Sequence, residues 1–329
     1  MSATHARDAG VIGLVHIGRR HGRVMKLVAL LFFALLGTAA LAQQARPAHE
    51  APVVVVTDDW GRRVAMAARH LRIVSLAPHA TEALAAVGAL DRLVAVDPNS
   101  DYPPAVLALP RVAAFPAPDL EALAALRPDL VVLWGAGARQ PIIDRIEALG
   151  IRVFVSDPRR VSDVTSTLER LAPLSGSPVL ARAAVREFDT AIARLRERHR
   201  HAAVVPVFVQ IAARPLMTLS DRDSIGDALR ICGARNVFGE LTMAAATVGA
   251  EAVLAAAPAL IVSIDATHSR EPWQSLGVLE PRGAVRMAWI GSAIHRPGPR
   301  LAPLIEQLCA MVDEARAAVR AQVSVRTLR

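Results

Sequence analysis

The chain is poor in aromatic residues and in cysteine. Phe, Trp and Tyr make up 4% of its 329 residues, with a single tyrosine, and there are two cysteines. Two cysteines are too few for a disulfide-rich scaffold, whereas a hydrophobic share of 53% can fill one or two complete cores. The composition therefore predicts a large globular fold.

Motifs of common enzyme classes are also lacking. The chain has no G-x-S-x-G nucleophile elbow, and Ser220, Asp221 and His268 show no spacing that supports a catalytic triad. Gly135-Ala136-Gly137 follows a predicted strand, but Gln140 stands where a dinucleotide loop has its third glycine. We predict that the protein is not an enzyme and holds no cofactor.

The net charge of +8 does not indicate a nucleic-acid-binding protein. Residues 1–42 hold five of the 38 basic residues and one of the 30 acidic ones, which leaves 33 against 29, or +4. These charges are scattered, and no basic block carries the interleaved aromatics that track a phosphate backbone. We expect no nucleic-acid partner.

The N-terminus has the pattern of a secretory signal peptide over residues 1–42. Basic residues precede the apolar run LVALLFFALLGTAALA, whose end supplies the small residues of a cleavage site. Met25 is an equally good start, since MKLVALLFF is already a complete leader, and an uncleaved anchor remains the alternative. No later segment reaches 18 apolar residues without a charge or a proline. We predict export to the periplasm.

Export bears on Cys232 and Cys309, the two cysteines of the chain. In an oxidising compartment such residues are more often paired than free. Both fall in predicted helices of the second half, so a disulfide would join two helices there. Two buried thiols remain the alternative.

The fold prediction is organised around the stretch from Pro178 to Arg200. It has helical spacing of apolar residues and no internal glycine, which predicts one long helix. On each side, apolar strands alternate with Ala/Leu-rich amphipathic helices, a pattern that favours parallel sheets. We predict an α/β fold with two Rossmann-like lobes joined by that helix; a long surface helix of one large domain is the alternative. The predicted boundaries are 43–70 for a linker and hairpin, 71–176 for the first lobe, 177–201 for the connecting helix and 202–329 for the second lobe.

Ligands of open parallel sheets bind beyond the carboxyl ends of the strands. Tyr102, Phe115 and Trp134 lie in such strand-end loops of the first lobe, although aromatic residues are rare elsewhere. Aromatic rings offer a large contact area at small entropic cost, so the three predict a flat, apolar ligand. Other candidates at strand ends are His79, Gly135, Ile211 and Arg296.

Histidines offer a competing hypothesis. His79, His268 and His295 each follow a predicted strand and could face one cleft, as in a receptor for Zn²⁺ or Mn²⁺. Three histidines at strand ends are less specific than a spaced ligand motif, so we rank this function lower.

Several segments together resemble the helical-backbone class of periplasmic substrate-binding proteins, which serve ABC importers of siderophores, haem and cobalamin. The similar segments are RIVSLAPHATEALAAVGA, SDYPP, DLEALAALRPDLVVLWGAGARQ, SIGDALRICGARNVFG and HRPGPRLAPLIEQLCAM. The likeness to the cobalamin-binding members is strongest and covers essentially the whole mature chain. It implies a carrier that captures cobalamin or a related corrinoid between two lobes. We expect a monomer, and we expect only small closure because the connecting helix limits the motion of the lobes.

The resemblance also implies roles for single residues. Tyr102 and Trp134 match positions that pack against the corrin, and Phe115 stands where the family has a tryptophan. Ala245 and Ser292 depart from the family, which has a tryptophan and an aspartate there, so the wall of the second lobe would be wider and less polar. These departures leave haem or a ferric siderophore as the alternative ligand, with Tyr102 and His79 on opposite faces of a haem.

Two carboxylates have an implied role outside the cleft. Glu121 and Glu251 match the acidic residues, one on each lobe, that dock against arginines of the membrane permease. A two-fold permease needs two similar contacts, which suits one carboxylate per lobe. The cysteines of the family also form a disulfide.

Overall fold

The structure is a computed structural model that describes residues 53–67, 71–264, 269–279 and 285–327, with the side chains of 322–327 left aside. The predicted signal peptide, residues 43–52 and 68–70 of the predicted linker and hairpin, and His268 lie outside the described residues. Within the described ranges, no helix combines the length and the apolar composition that a membrane crossing requires.

The described part begins with the predicted hairpin, which the structure confirms. β1 (Val53–Thr57) pairs antiparallel with β2 (Arg63–Ala67). Asp58 forms the turn: its carboxylate accepts hydrogen bonds from the backbone N–H groups of Trp60 (3.0 Å) and Arg62 (2.8 Å). The other oxygen of this carboxylate accepts from the N–H of Val155 at 3.2 Å, which attaches the hairpin to the edge of the first sheet.

The first lobe contains a four-stranded parallel sheet covered by helices. Its strands are β3 (Ile73–Leu76), β4 (Leu93–Val96), β5 (Leu130–Trp134) and β6 (Arg152–Ser156), in the order β4-β3-β5-β6. Its helices are α1 (Pro78–Ala86), α2 (Leu120–Leu126), α3 (Gln140–Glu147) and α4 (Val161–Leu171). The strands are almost wholly buried because helices cover both faces, which explains their continuous apolar sequences.

The second lobe repeats this arrangement beyond the connecting helix α5 (Pro178–His199). Its strands are β7 (Val205–Gln210), β8 (Ala212–Ala213), β9 (Leu216–Leu219), β10 (Ala234–Asn236), β11 (Ala245–Thr247), β12 (Leu260–Ser263) and β13 (Arg286–Trp289). Its helices are α6 (Ser224–Ile231), α7 (Ala250–Ala255), α8 (Glu271–Gln274) and α9 (Leu301–Thr327). The strands β10-β7-β12-β13 form a parallel sheet in that order.

A small antiparallel sheet, β11-β9-β8, was not predicted. Leu216, Thr218 and Leu219 are buried in β9. The strands are too short for their alternation to stand out from a turn.

The long helix α5 joins the two lobes as predicted and ends at His199, one residue before the expected end. Its buried face contains Ala181, Phe188, Ile192 and Leu195. It packs against α1 and α4 of the first lobe and against α6 and α9 of the second. Because α5 lies between two separate parallel sheets, the alternative of a surface helix on one large domain is wrong.

Cys232 and Cys309 form a disulfide, so the prediction of a pair is confirmed and the alternative of two buried thiols is wrong. Cys232 follows the last turn of α6, and Cys309 lies in α9. Arg316, further along α9, donates hydrogen bonds of 2.7 Å to the backbone carbonyls of Cys232 and Ala203. Covalent and polar contacts therefore hold α9 against the second sheet.

Candidate functional site

A cavity of about 490 Å³ lies between the lobes at the carboxyl ends of the first sheet's strands. We call it the interlobe cavity. The last residues of β3 and β5, Leu76 and Trp134, line it together with the loop residue Phe115. The second lobe contributes His295 and Arg296 from the segment before α9. Of the predicted ligand-binding residues, the structure brings Phe115, Trp134 and Arg296 together here.

The indole of Trp134 is supported from behind by His79. The two rings meet edge to face, with centroids 5.6 Å apart and planes at 70°. His79 Nε2 lies 2.9 Å from Ser156 Oγ, and the histidine is 1% exposed. Burial lowers the pKa of His79 to about 3, so the imidazole is neutral at physiological pH. His79 therefore fixes the orientation of Trp134 without lining the cavity.

Phe115 lies at the rim of the interlobe cavity and is 88% exposed. Burying a phenylalanine of this size contributes roughly 1.5–3 kcal/mol. A flat ligand that covered the ring would remove it from water, and the free energy of that burial would favour binding.

The polar groups of the cavity include one aspartate. Burial raises the pKa of the Asp97 carboxyl, although the backbone N–H of Asn99, a hydrogen-bond donor at 2.7 Å, acts in the opposite direction. Burial likewise lowers the pKa of His295, and the nearby Asp223 carboxylate opposes this. His295 therefore adds little positive charge to the cavity.

Ion pairs join the two lobes beside the cavity. Arg296 Nη1 bonds Asp101 Oδ1 at 2.9 Å, and Arg300 Nη2 bonds the same oxygen at 3.1 Å. Arg300 Nη2 also bonds Glu82 Oε1 at 2.6 Å. Glu82 and Asp101 belong to the first lobe, and both arginines belong to the second, so this four-residue network bridges the interface.

Tyr102 is separated from the other two predicted aromatics. The Arg300 guanidinium lies 4.3 Å above its ring, a cation–π contact. Tyr102 lines a second cavity of about 650 Å³, between α1, α5 and α9. Tyr102 therefore lines a different cavity from Phe115 and Trp134 in this structure, and its contact with the ligand stays a prediction.

The remaining predicted ligand-binding residues do not line the interlobe cavity. Gly135 is required by the fold, because a Cβ there would come within 2.3 Å of the Asp157 side chain. Ile211 and Ala245 are half-buried and pack against the core of the second lobe. Ser292 is exposed at the start of the short 3-10 turn that carries His295.

The alternative chemistries find little support. Among the described residues, no group of three or more His, Cys, Asp or Glu side chains could hold a metal ion. Ser220 is fully buried, and Asp221 pairs with Arg230 at 2.6 Å, so the components of a triad that the structure describes are not free for catalysis.

Glu121 and Glu251 occupy equivalent positions on the two lobes. Each is the second residue of a helix, α2 or α7, and both are exposed. A carboxylate in a first helical turn is favoured by the helix dipole, so local structure alone also accounts for them.

Three residues of the ion-pair network, Glu82, Asp101 and Arg300, were not predicted from the sequence, whereas Arg296 was a predicted ligand-binding residue. Asp101 adjoins Tyr102 in the SDYPP segment, and Arg300 follows Arg296 by four residues, but they are about 200 positions apart. The sequence signal that could have indicated an ion pair was an acidic residue in one strand-end segment and two basic residues in another. Glu82 gave no such signal, because a single acid within a helix is ordinary.

Comparison with known proteins finds a matching family and similar proteins. A family model described as periplasmic binding protein matches residues 73–271. The vitamin B12-binding protein of Photorhabdus laumondii is 32% identical over 244 residues, which cover 74% of this chain and 88% of that protein.

Two solved structures share the fold. The periplasmic vitamin B12-binding protein BtuF of Vibrio cholerae superposes with a TM-score of 0.67 at 28% identity, over 74% of this chain and 97% of its own. The periplasmic haem-binding protein BhuT, solved with two haems, gives a TM-score of 0.66 at 22% identity, over 74% of this chain and 98% of its own. At that identity the likeness to BhuT indicates the fold alone.

Proposed function

Because the chain belongs to the periplasmic binding protein family, we propose that it captures a corrinoid, cobalamin or a close relative, and delivers it to an ABC importer. It acts as a carrier without catalysis: the ligand binds in the interlobe cavity and leaves unchanged. The predicted signal peptide would place it in the periplasm, between an outer source of ligand and the permease.

The observation that carries the proposal is the shared cavity of Trp134, Phe115 and Arg296. Two aromatic rings from one lobe give a flat, apolar surface, and the other lobe offers a guanidinium donor. A corrinoid suits this arrangement because its macrocycle is broad and its peripheral amides accept hydrogen bonds. The relative from Photorhabdus laumondii carries a vitamin B12-binding name at 32% identity, which supports the same ligand class.

The second-lobe wall bears on the choice of corrinoid. Ala245 and Ser292 are small, and neither lines the interlobe cavity as the structure has it. A ligand that extends toward this wall would meet little steric resistance. We therefore propose tolerance of corrinoids that differ in their lower ligand.

Delivery would use the tips of both lobes. Glu121 and Glu251 offer one exposed carboxylate each, at the start of a helix in each lobe. A permease with two-fold symmetry could bind both through arginines. The connecting helix α5 restrains the lobes, so little closure accompanies binding.

Haem is the second candidate ligand, since the fold is shared with haem-binding proteins. Haem would use Tyr102 or His79 as an axial ligand. Tyr102 lies beneath Arg300 and outside the interlobe cavity, and His79 is buried against Ser156. These placements favour the corrinoid.

The visible absorption spectrum tests the choice. Protein purified from cells supplied with cyanocobalamin should carry the absorption bands of the corrinoid. Mixing the ligand-free protein with hemin should give no Soret band of a Tyr-ligated haem. A strong Soret band that disappears in Tyr102→Ala, with no corrinoid retained, would establish the haem carrier instead.

A further inference from the structure

The interlobe cavity contains one arginine among the described residues that line it. This is Arg296, whose side chain is 17% exposed. A guanidinium at this position could bind either a neutral amide or a carboxylate on the ligand. Which of the two it favours depends on whether its charge is already compensated.

The charge of Arg296 is compensated by Asp101, at 2.9 Å. Partial burial acts to raise the pKa of the Asp101 carboxyl, but the charges of Arg296 and Arg300 outweigh it and hold that pKa below its ordinary value. Asp101 is therefore ionised at neutral pH, and Arg296 has a full negative charge beside it.

Arg300 also contacts Asp101, but its positive charge is compensated by a second carboxylate. The charge of Asp101 therefore remains available to Arg296. Glu82, whose side chain is 3% exposed, accepts a hydrogen bond of 2.6 Å from Arg300. The network thus contains two arginines and two carboxylates. Burial raises the pKa of the Glu82 carboxyl, but the hydrogen bond and charge of Arg300 oppose this. With both carboxylates ionised, the net charge of the network is zero, and it presents no surplus cation to the interlobe cavity.

The other titratable groups of the interlobe cavity also supply no surplus positive charge. Asp97 adds a carboxylate, and burial keeps His295 from adding a charge. A ligand carboxylate would therefore be desolvated without an uncompensated cation to receive it, which is unfavourable. A neutral amide avoids that cost and still finds donors and acceptors.

We propose that Asp101 is a specificity-determining residue: by pairing with Arg296 it makes the cleft reject macrocycles with peripheral carboxylates and accept those with peripheral amides. The inference rests on the proposed function, because it concerns which macrocycles the same cavity takes. It extends to haem, whose propionates are carboxylates.

Two ligands with one ring system test it. Dicyanocobinamide carries amides, and dicyanocobyrinic acid carries carboxylates at the same positions. Wild type should bind the amide ligand at least about tenfold more tightly, a difference of about 1.4 kcal/mol. Asp101→Asn frees Arg296 and should shift the ratio of the two affinities about tenfold toward the carboxylate ligand.

Matched variants isolate the cause. Asp91→Asn changes the net charge equally at an exposed site in another part of the first lobe, and it should leave both affinities unchanged. Adding Arg296→Gln to Asp101→Asn should remove the gain for the carboxylate ligand. A gain in Asp91→Asn, or one that persists without Arg296, would overturn the proposal.

Salt dependence of wild type gives a test that needs no variant. Salt screens attraction between charges, so a carboxylate ligand held by a surplus cation should bind less tightly as NaCl rises from about 0.05 to 0.5 M. We expect no such weakening. Weakening of tenfold would refute the proposal even if Asp101→Asn did not fold.

The outcomes separate this inference from the proposed function. If wild type binds neither corrinoid, the proposed function fails and the inference fails with it. If wild type binds the amide ligand but Asp101→Asn leaves the ratio of affinities unchanged, the proposed function stands and the role of Asp101 is refuted.

Discussion

The imidazole of His79 lies edge-on to the indole of Trp134, with 5.6 Å between ring centroids. His79 is the second residue of α1, and Trp134 is the last residue of β5. A buried, neutral histidine thus determines how the most enclosed aromatic ring of the interlobe cavity faces the ligand.

Trp134 should contribute more to ligand affinity than any other aromatic residue of the first lobe. Trp134→Ala should weaken cyanocobalamin binding by tenfold or more, because a partly enclosed aromatic contact typically contributes more than about 1.4 kcal/mol. Calorimetric titration would measure the change. Trp60→Ala, at the exposed hairpin turn, is the control and should bind as wild type does; equal losses in both variants would count against the cavity as the binding site.

Tyr102 should matter less, since it lies outside the interlobe cavity. Tyr102→Ala removes the ring beneath Arg300 but leaves both ion pairs of Arg300 in place. We expect cyanocobalamin affinity within about threefold of wild type, a difference below about 0.7 kcal/mol. A loss as large as that of Trp134→Ala would show that the ligand reaches Tyr102 and that the cleft rearranges on binding.

His79 should make stability depend on pH. Burial lowers its pKa to about 3 from an ordinary value of 6.5, so between these values the unfolded chain binds a proton that the folded chain does not. Stability should therefore be complete above about pH 6.5 and fall as pH falls, by at most about 1.4 kcal/mol per pH unit.

Urea unfolding between pH 6 and pH 4 would measure that contribution. His79→Gln should reduce the slope of the unfolding free energy against pH relative to wild type. The reduction should correspond to about one fewer proton bound on unfolding. His201→Gln, at an exposed position, should leave the slope as it is. The same slope in His79→Gln and wild type would contradict the burial of a neutral imidazole.

The disulfide should stabilise the second lobe. It closes a loop with a sequence separation of 77 residues, for which the chain-entropy estimate is roughly 4 kcal/mol. Cys232→Ala with Cys309→Ala should lower the free energy of unfolding by about 2–4 kcal/mol. Dithiothreitol should lower the stability of wild type and leave that of the double variant unchanged. An equal loss of stability in both proteins would show that dithiothreitol does not act by reducing this disulfide.

Transport should depend on Glu121 and Glu251 while ligand binding does not. Replacing both by lysine reverses the charge offered to the permease and should reduce corrinoid uptake in cells by tenfold or more, since buried charge pairs at interfaces are costly to break. Glu240→Lys changes an exposed carboxylate outside any helix and should leave uptake normal. Normal uptake in the double variant would exclude these residues from docking.

The sequence was sufficient to predict elements with long, periodic patterns. The helix over 178–199, both parallel sheets and the first hairpin follow from spacing and turn residues, because local propensity and burial agree there. The strands of residues 212–219 were missed because they are only two and four residues long. Their burial depends on contacts with the rest of the second lobe.

The site was predicted less completely than the fold. Trp134 and Phe115 could be placed in a cleft from strand-end position alone. The position of Tyr102 could not, since it depends on Arg300, which is 198 residues later in the chain. The role of His79 also required coordinates, because a histidine at a strand end can face either a ligand or the core.

Equilibrium titration of the mature protein with cyanocobalamin, followed by calorimetry, tests the central claim most directly. The account predicts one site per chain with a sub-micromolar dissociation constant, which corresponds to more than about 8 kcal/mol of binding free energy. The absence of both binding heat and a thermal shift at tens of micromolar ligand would contradict it.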